Sequence, residues 1–196
     1  KRGITRILTP GTVLEDGQLD AGHNHFLLSV DFDKKGARGS WLDLSTGKFV
    51  LTHTPRIQDF LAILGALAPR EVLVPEGMEK RINQLEDGAL ILEELDRLFT
   101  GVTKTERPDF DFEHRSGARE VMESLGVMNL EGFGIDVEHP GLGPAGALLV
   151  YASDVLRGKP GNLRRIEEYR TDNSLLLDPA TQRNLEIFKT SAQTKK

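Results

Sequence analysis

Between Phe26 and Pro75 the chain changes its hydrophobic period twice, and that leaves few folds open to it. Phe26–Phe32, Ser40–Leu44 and Phe49–Thr52 are short apolar or alternating runs separated by turn-forming residues, the pattern of strands in a meander. At Arg56 the spacing switches. Phe60, Leu61, Leu64 and Leu67 follow at steps of one, three and three, forming the stripe of a helix over Arg56–Ala68 that Pro69 ends. The apolar run Val72–Pro75 comes next. Strands joined by tight turns pair antiparallel, whereas a strand reached through a helix is normally added in parallel. A mixed sheet is therefore expected.

Within this region Ser29 and Asp31 interrupt the first run, and Asp31, between Val30 and Phe32, reads as marking a solvated strand face. Gly36 and Gly39 read as bracketing a turn, and Ser45-Thr-Gly-Lys48 as a hairpin turn. In the second strand Trp41, Asp43 and Ser45 fall on one side, Leu42 and Leu44 on the other.

Further on, Glu79–Phe99 is amphipathic but broken at Asp87-Gly88, so it predicts two helical pieces; Val102–Arg107 predicts a strand before Pro108, and Phe110–Leu125 a charged helix. Leu130–Ile135 is a Gly-punctuated loop. Pro140–Leu156, with Leu142, Ala145, Leu148, Leu149, Ala152 and Val155 on one face, predicts a buried helix. Gly158-Lys-Pro-Gly161 reads as a linker, and Leu163–Arg170 and Leu175–Leu177 as two strands. Ile4–Thr12 reads as an extended segment turned by Pro10-Gly11, and Val13–His25 as a surface loop. At the other end Asp178 suits an N-cap and Pro179 the first turn of a helix carrying Leu185 and Phe188. That helix reaches the last residues without a closing glycine, so more chain is expected after it, and the start at Lys1 also suggests a piece of something longer. The order β-β-β-α-β-α-β-α gives an α/β fold: a ribonuclease-H-like mixed sheet, antiparallel meander plus parallel strands, with helices on its faces.

Composition narrows the chemistry. With no cysteine there is no thiol nucleophile, disulfide or thiolate metal site. Twenty-five basic residues against 30 acidic ones give a formal charge of -5, which argues against a chain whose main work is gripping phosphate backbones. No run approaches the roughly 20 apolar residues that span a bilayer, and no apolar leader opens the chain, so a cytoplasmic protein without a membrane span is expected.

Candidate sites were weighed by residue type. Asp31 and Asp33, Asp43, and Asp109 or Asp111 could converge on two metal ions in a nuclease, although aspartates at strand ends are also ordinary turn residues. His23 and His25 could chelate from one side of a strand, but no third ligand lies near; His53, His114 and His139 complete the histidines. Gly132-Phe-Gly134 and Gly141-Leu-Gly-Pro-Ala-Gly146 are too incomplete for a P-loop, and close helix packing explains the second better. Lys159, Arg164 and Arg165 form a basic cluster able to touch a nucleic-acid backbone or an acidic partner.

Six strings in order, Arg6-Ile-Leu-Thr-Pro-Gly-Thr12, Leu42-Asp-Leu-Ser-Thr-Gly-Lys-Phe49, Ala68-Pro-Arg-Glu-Val-Leu-Val-Pro75, Leu130-Glu-Gly-Phe-Gly134, Ala145-Gly-Ala-Leu-Leu149 and Leu177-Asp-Pro-Ala-Thr-Gln-Arg-Asn-Leu-Glu186, resemble landmarks of the MutS family of DNA mismatch-repair proteins. They span nearly the whole chain and resemble the family's connector domain and the start of its core. The family's mismatch-reading Phe-x-Glu is absent around all nine phenylalanines, and so is its P-loop. The resemblance therefore implies a non-catalytic fragment without a cofactor of its own, with ATP and Mg belonging to the full-length protein. It implies residues 1–17 as a linker after the mismatch-binding domain, 18–158 as the connector, and 159–196 as the start of the core and lever.

The implied task is transmission: linking mismatch recognition on duplex DNA to the ATPase and clamp, and offering MutL a docking surface. His114–Glu123 falls at the place of a family docking helix, which makes Arg115, Arg119 and Glu120 the candidate contacts. The fragment is expected to be a monomer and its parent a homodimer. A divergent ribonuclease-H-like metal-dependent nuclease and a free-standing DNA-binding module are the competing readings.

Overall fold

The computed structural model describes residues 26–170. The expectations placed on His23, His25, the extended segment at Ile4–Thr12, Leu175–Leu177 and the Asp178 cap lie outside these residues.

Six strands form one sheet in the order β5-β4-β1-β2-β3-β6. Strands β1 (Phe26–Asp33), β2 (Gly36–Asp43) and β3 (Lys48–Thr54) make the antiparallel meander. Helix α1 (Ile57–Leu67) then crosses over, and β4 (Glu71–Pro75) returns parallel to β1. After α2 (Met78–Ile82) and α3 (Gly88–Leu98), β5 (Thr103–Arg107) adds in parallel at one edge. A 3-10 turn at Asp109–Phe112 leads to α4 (His114–Leu125), and α5 (Leu142–Leu156) precedes β6 (Glu167–Glu168) at the opposite edge, parallel to β3. The mixed α/β sheet flanked by helices is as the change of period requires.

Both sheet faces are covered, which explains why β1 is nearly continuous in apolar residues. Phe26, Leu28, Val30 and Phe32 pack with Trp41, Val50, Val72 and Val74 beneath α1–α3. Leu27, Leu42, Phe49, Leu51 and Leu73 face α4 and α5. Alternation along each strand thus feeds two cores.

Three local readings are corrected. Gly36 and Gly39 do not bracket a turn: β1 and β2 close between Asp33 and Gly36, leaving Lys34-Lys35 as the turn, and both glycines lie within β2. Gly36 has φ +125° and Gly39 backs onto Phe60, whose ring atom would stand 2.7 Å from an added Cβ. The strand expected over Leu163–Arg170 shrinks to two paired residues, because Leu163 and Ile166 turn into the core instead. The single helix expected over Phe110–Leu125 is split at Glu113, whose carboxylate accepts hydrogen bonds from the amides of Arg115 (3.1 Å) and Ser116 (2.7 Å) and so caps α4. The break at Asp87-Gly88 falls as expected, with Asp87 at φ 58° before α3.

Candidate functional site

Helix α4 has two unlike sides. Gly117, Ala118 and Val121 are buried against α5, while Arg115, Arg119 and Glu123 are exposed and Glu120 is half-buried. Glycine makes this pairing possible, since a Cβ on Gly117 would stand 2.2 Å from the Leu142 carbonyl oxygen and one on Gly143 2.3 Å from that of Phe112. The Gly141–Gly146 stretch serves helix packing, as its composition suggested. Among the described residues the Arg115 side chain makes no hydrogen bond or ion pair, so its guanidinium is presented to solvent.

The structure brings the two sequence clusters together through one of the three basic residues. Lys159 donates to Glu123 Oε1 at 2.6 Å across the end of α4, and this contact holds the Glu123 carboxyl below its usual range. Arg165 pairs with Glu167 at 2.8 Å, and Arg164 is exposed. Arg165 also lines a shallow groove of about 620 Å³ with Gly132, Phe133, Gly134 and Arg170. Gly132-Phe-Gly134 is thus a groove wall.

The carboxylates proposed for a metal have other partners. Asp31 is buried, contrary to a solvated face. Its oxygens accept from Arg38 Nε (2.9 Å), Arg81 Nη2 (3.0 Å) and the Phe32 amide (2.9 Å). A strand with both faces covered has no solvated side, so the polar residue survives only by pairing. Burial works to raise the Asp33 carboxyl, but Arg38 and the Lys35 amide overcome it and hold it below the ordinary value. Asp43 accepts from the Ser45 hydroxyl (2.6 Å) and amide (2.8 Å), stapling the hairpin turn. Asp109 pairs with Arg81 (2.8 Å) and Asp111 with Arg107 (2.8 Å). No group of three or more His, Asp or Glu among the described residues could hold a metal ion.

Residue-type reasoning missed one further buried carboxylate. Glu71 is fully buried and accepts from Tyr151 Oη (2.5 Å) and Thr105 Oγ1 (2.8 Å), with Arg107 over the Tyr151 ring at 5.6 Å. The available signal was Tyr151, a polar-tipped aromatic that directly follows the apolar run Ala147–Val150 of α5.

Of the described histidines, His139 is held at both ring nitrogens. Its Nδ1 accepts the Gly141 amide (3.0 Å) at the start of α5, which leaves Nε2 to donate to Glu168 Oε1 (3.3 Å). Burial lowers its pKa below the ordinary 6.5; Glu168 opposes this, while His53 and Arg170 add to it.

None of the described helices is long and apolar enough to cross a membrane. A family profile described as MutS domain II matches residues 25–166. The DNA mismatch repair protein MutS of Desulfosudis oleivorans is 31% identical over 187 residues, covering 95% of this chain and 20% of the relative. That of Nostoc punctiforme is 32% identical over 190 residues (97% and 21%), and that of Trichormus variabilis 33% over 193 (97% and 22%). The chain spans about a fifth of the length of the curated relatives it matches. It belongs to the MutS family, as a region of a MutS-type DNA mismatch repair protein built around that family's domain II.

Proposed function

We propose that this region is the non-catalytic connector of a MutS-type protein, a ribonuclease-H-like scaffold that links mismatch recognition to the ATPase and offers α4 as a docking face for MutL. The observation that carries the reading is the two-sidedness of α4. Its inner side is locked to α5 by glycine contacts that leave no room for a side chain, while its outer side presents Arg115, Arg119 and Glu120. A rigid backbone presenting long charged side chains, with Glu120 held by the Ser124 hydroxyl, suits recognition of a charged partner. Lys159, Arg164 and Arg165 are proposed as a secondary contact for a nucleic-acid backbone or an acidic segment of the partner.

In the whole protein, ATP and Mg bind outside this region, mismatched duplex DNA is engaged by the full-length chain, and the parent is a cytoplasmic homodimer. The region alone is a monomer. The division proposed is 1–17 as linker, 18–158 as connector and 159–196 as the hand-over to the core, with Leu163 and Ile166 tying the start of that last segment to the sheet. Titrating MutL into the chain tests the docking reading: Arg119→Glu with Glu120→Lys is expected to weaken binding, and unchanged binding removes this face.

The nuclease alternative loses its chemical support, because each candidate carboxylate is engaged by arginines or turn donors. Metal-dependent cleavage that disappears in Asp31→Asn would restore it. Tight, salt-sensitive duplex binding by the chain alone would favour an independent DNA-binding module.

A further inference from the structure

We infer that β6 is a releasable latch whose pairing with β3 is coupled to the position of α4, so that displacing residues 167–170 acts on the docking face from within the fold. This deepens the connector reading by naming the element that would carry the motion.

The latch is small and its fastenings are identifiable. Glu167 and Glu168 pair with Val50 and Leu51. The Tyr169 amide donates to the Leu51 carbonyl (2.8 Å), the Thr52 hydroxyl donates to the Tyr169 carbonyl (2.8 Å), and the Tyr169 ring meets Trp41 edge-on at 5.8 Å. Just before it, Leu163 and Ile166 are buried in the core under α4 and α5, so the anchor lies behind the latch, and parting residues 167–170 from β3 withdraws only the Tyr169 ring from the rim of the other core. A two-residue edge strand whose own residues are exposed or half-buried belongs to the low end of local opening free energies.

What distinguishes this edge is the route from it. Glu168 receives the Nε2–H of His139, whose Nδ1 holds the Gly141 amide at the entrance to α5. Gly141 itself lies against β3, where a Cβ would be 3.0 Å from the Thr52 carbonyl oxygen. From there backbone meets backbone: Gly143 against Phe112, Gly117 against Leu142, Gly146 against Gly117. These contacts contain no flexible side chain to absorb a shift, so the first turns of α5 and α4 move as one piece. Close-packed contacts of this sort have discrete arrangements rather than continuous give. Arg115 and Arg119 ride on that piece.

Amide hydrogen exchange of the full chain tests the coupling. Tyr169→Ala frees the latch, and Glu168→Ala removes the acceptor of the His139 Nε2–H, along with the Arg170 pair, while sparing the backbone pairing. Arg97→Ala, which breaks the exposed Arg97–Glu94 pair on α3, far from the latch, is the control. Both latch variants are expected to exchange on the order of fivefold faster or more at residues 117–121 and 145–148, with β1 and β4 at wild-type rates and the control unchanged. Faster exchange confined to 51–52 and 167–170 would overturn the inference, as would uniform acceleration that includes β1 and β4. MutL affinity is read separately. Coupling without binding would leave the latch standing and remove only the docking reading.

Discussion

Gly117 of α4 and Gly146 of α5 meet backbone to backbone, so closely that a Cβ on Gly146 would stand 2.3 Å from the Gly117 Cα. Helix propensity alone makes Gly→Ala favourable by about 1 kcal/mol. Overpacking costs about 1–3 kcal/mol when side chains can move aside, and here only backbone faces the new methyl. Gly146→Ala is therefore expected to destabilise the chain by about 2 kcal/mol or more in urea denaturation. Gly132→Ala, with nothing within 4 Å, serves as the neutral comparison.

Asp31 is the hub of an ion-pair network, and its removal has a diagnostic sign. Asp31→Asn strips the charge that Arg38 and Arg81 share, and breaking a buried pair costs about 3–5 kcal/mol. The two arginine side chains keep 22% and 35% of their exposure, which places the loss at the lower end. Thermal or urea unfolding measures it. A stabilising substitution would mean that the carboxylates repel one another, as in an empty metal site.

His139 gives a pH dependence whose direction follows from its surroundings. Burial depresses its folded pKa below 6.5, so the unfolded chain takes up the proton first. Its contribution to stability is complete above about pH 6.5 and is lost as pH falls through the folded value. The melting temperature should fall over that interval, and the fall should shrink in His139→Gln. The carboxylates held low by cationic partners or amides, Asp33, Glu123 and Glu168 among them, lose their contributions only at more acidic pH, as each is protonated through its folded value.

The sheet was legible because its causes are local. Alternating and apolar runs, tight turns and a helical stripe ended by Pro69 are properties of short windows, and they locate β1, β3, β4 and α1 closely, whereas β2 begins at Gly36, inside the stretch read as a turn. The pairing of Asp31 was illegible because Arg38 and Arg81 come to it from another strand and from α2; only the tertiary fold makes a polar residue in an apolar run buried instead of solvated. The same holds for Glu71, whose partner Tyr151 lies 80 positions away. For α4, the charged stripe was plain in the sequence. What was not plain was its contact with Lys159, which depends on the chain turning back after α5.

The most direct measurement is the affinity of the intact chain for MutL, compared between wild type and Arg119→Glu with Glu120→Lys, with melting temperatures recorded alongside. Substitutions on an exposed helix face change stability by only about 0.5 kcal/mol. The connector reading requires a loss of affinity of about tenfold or more at an unchanged melting temperature. Equal affinity of the two proteins would contradict it.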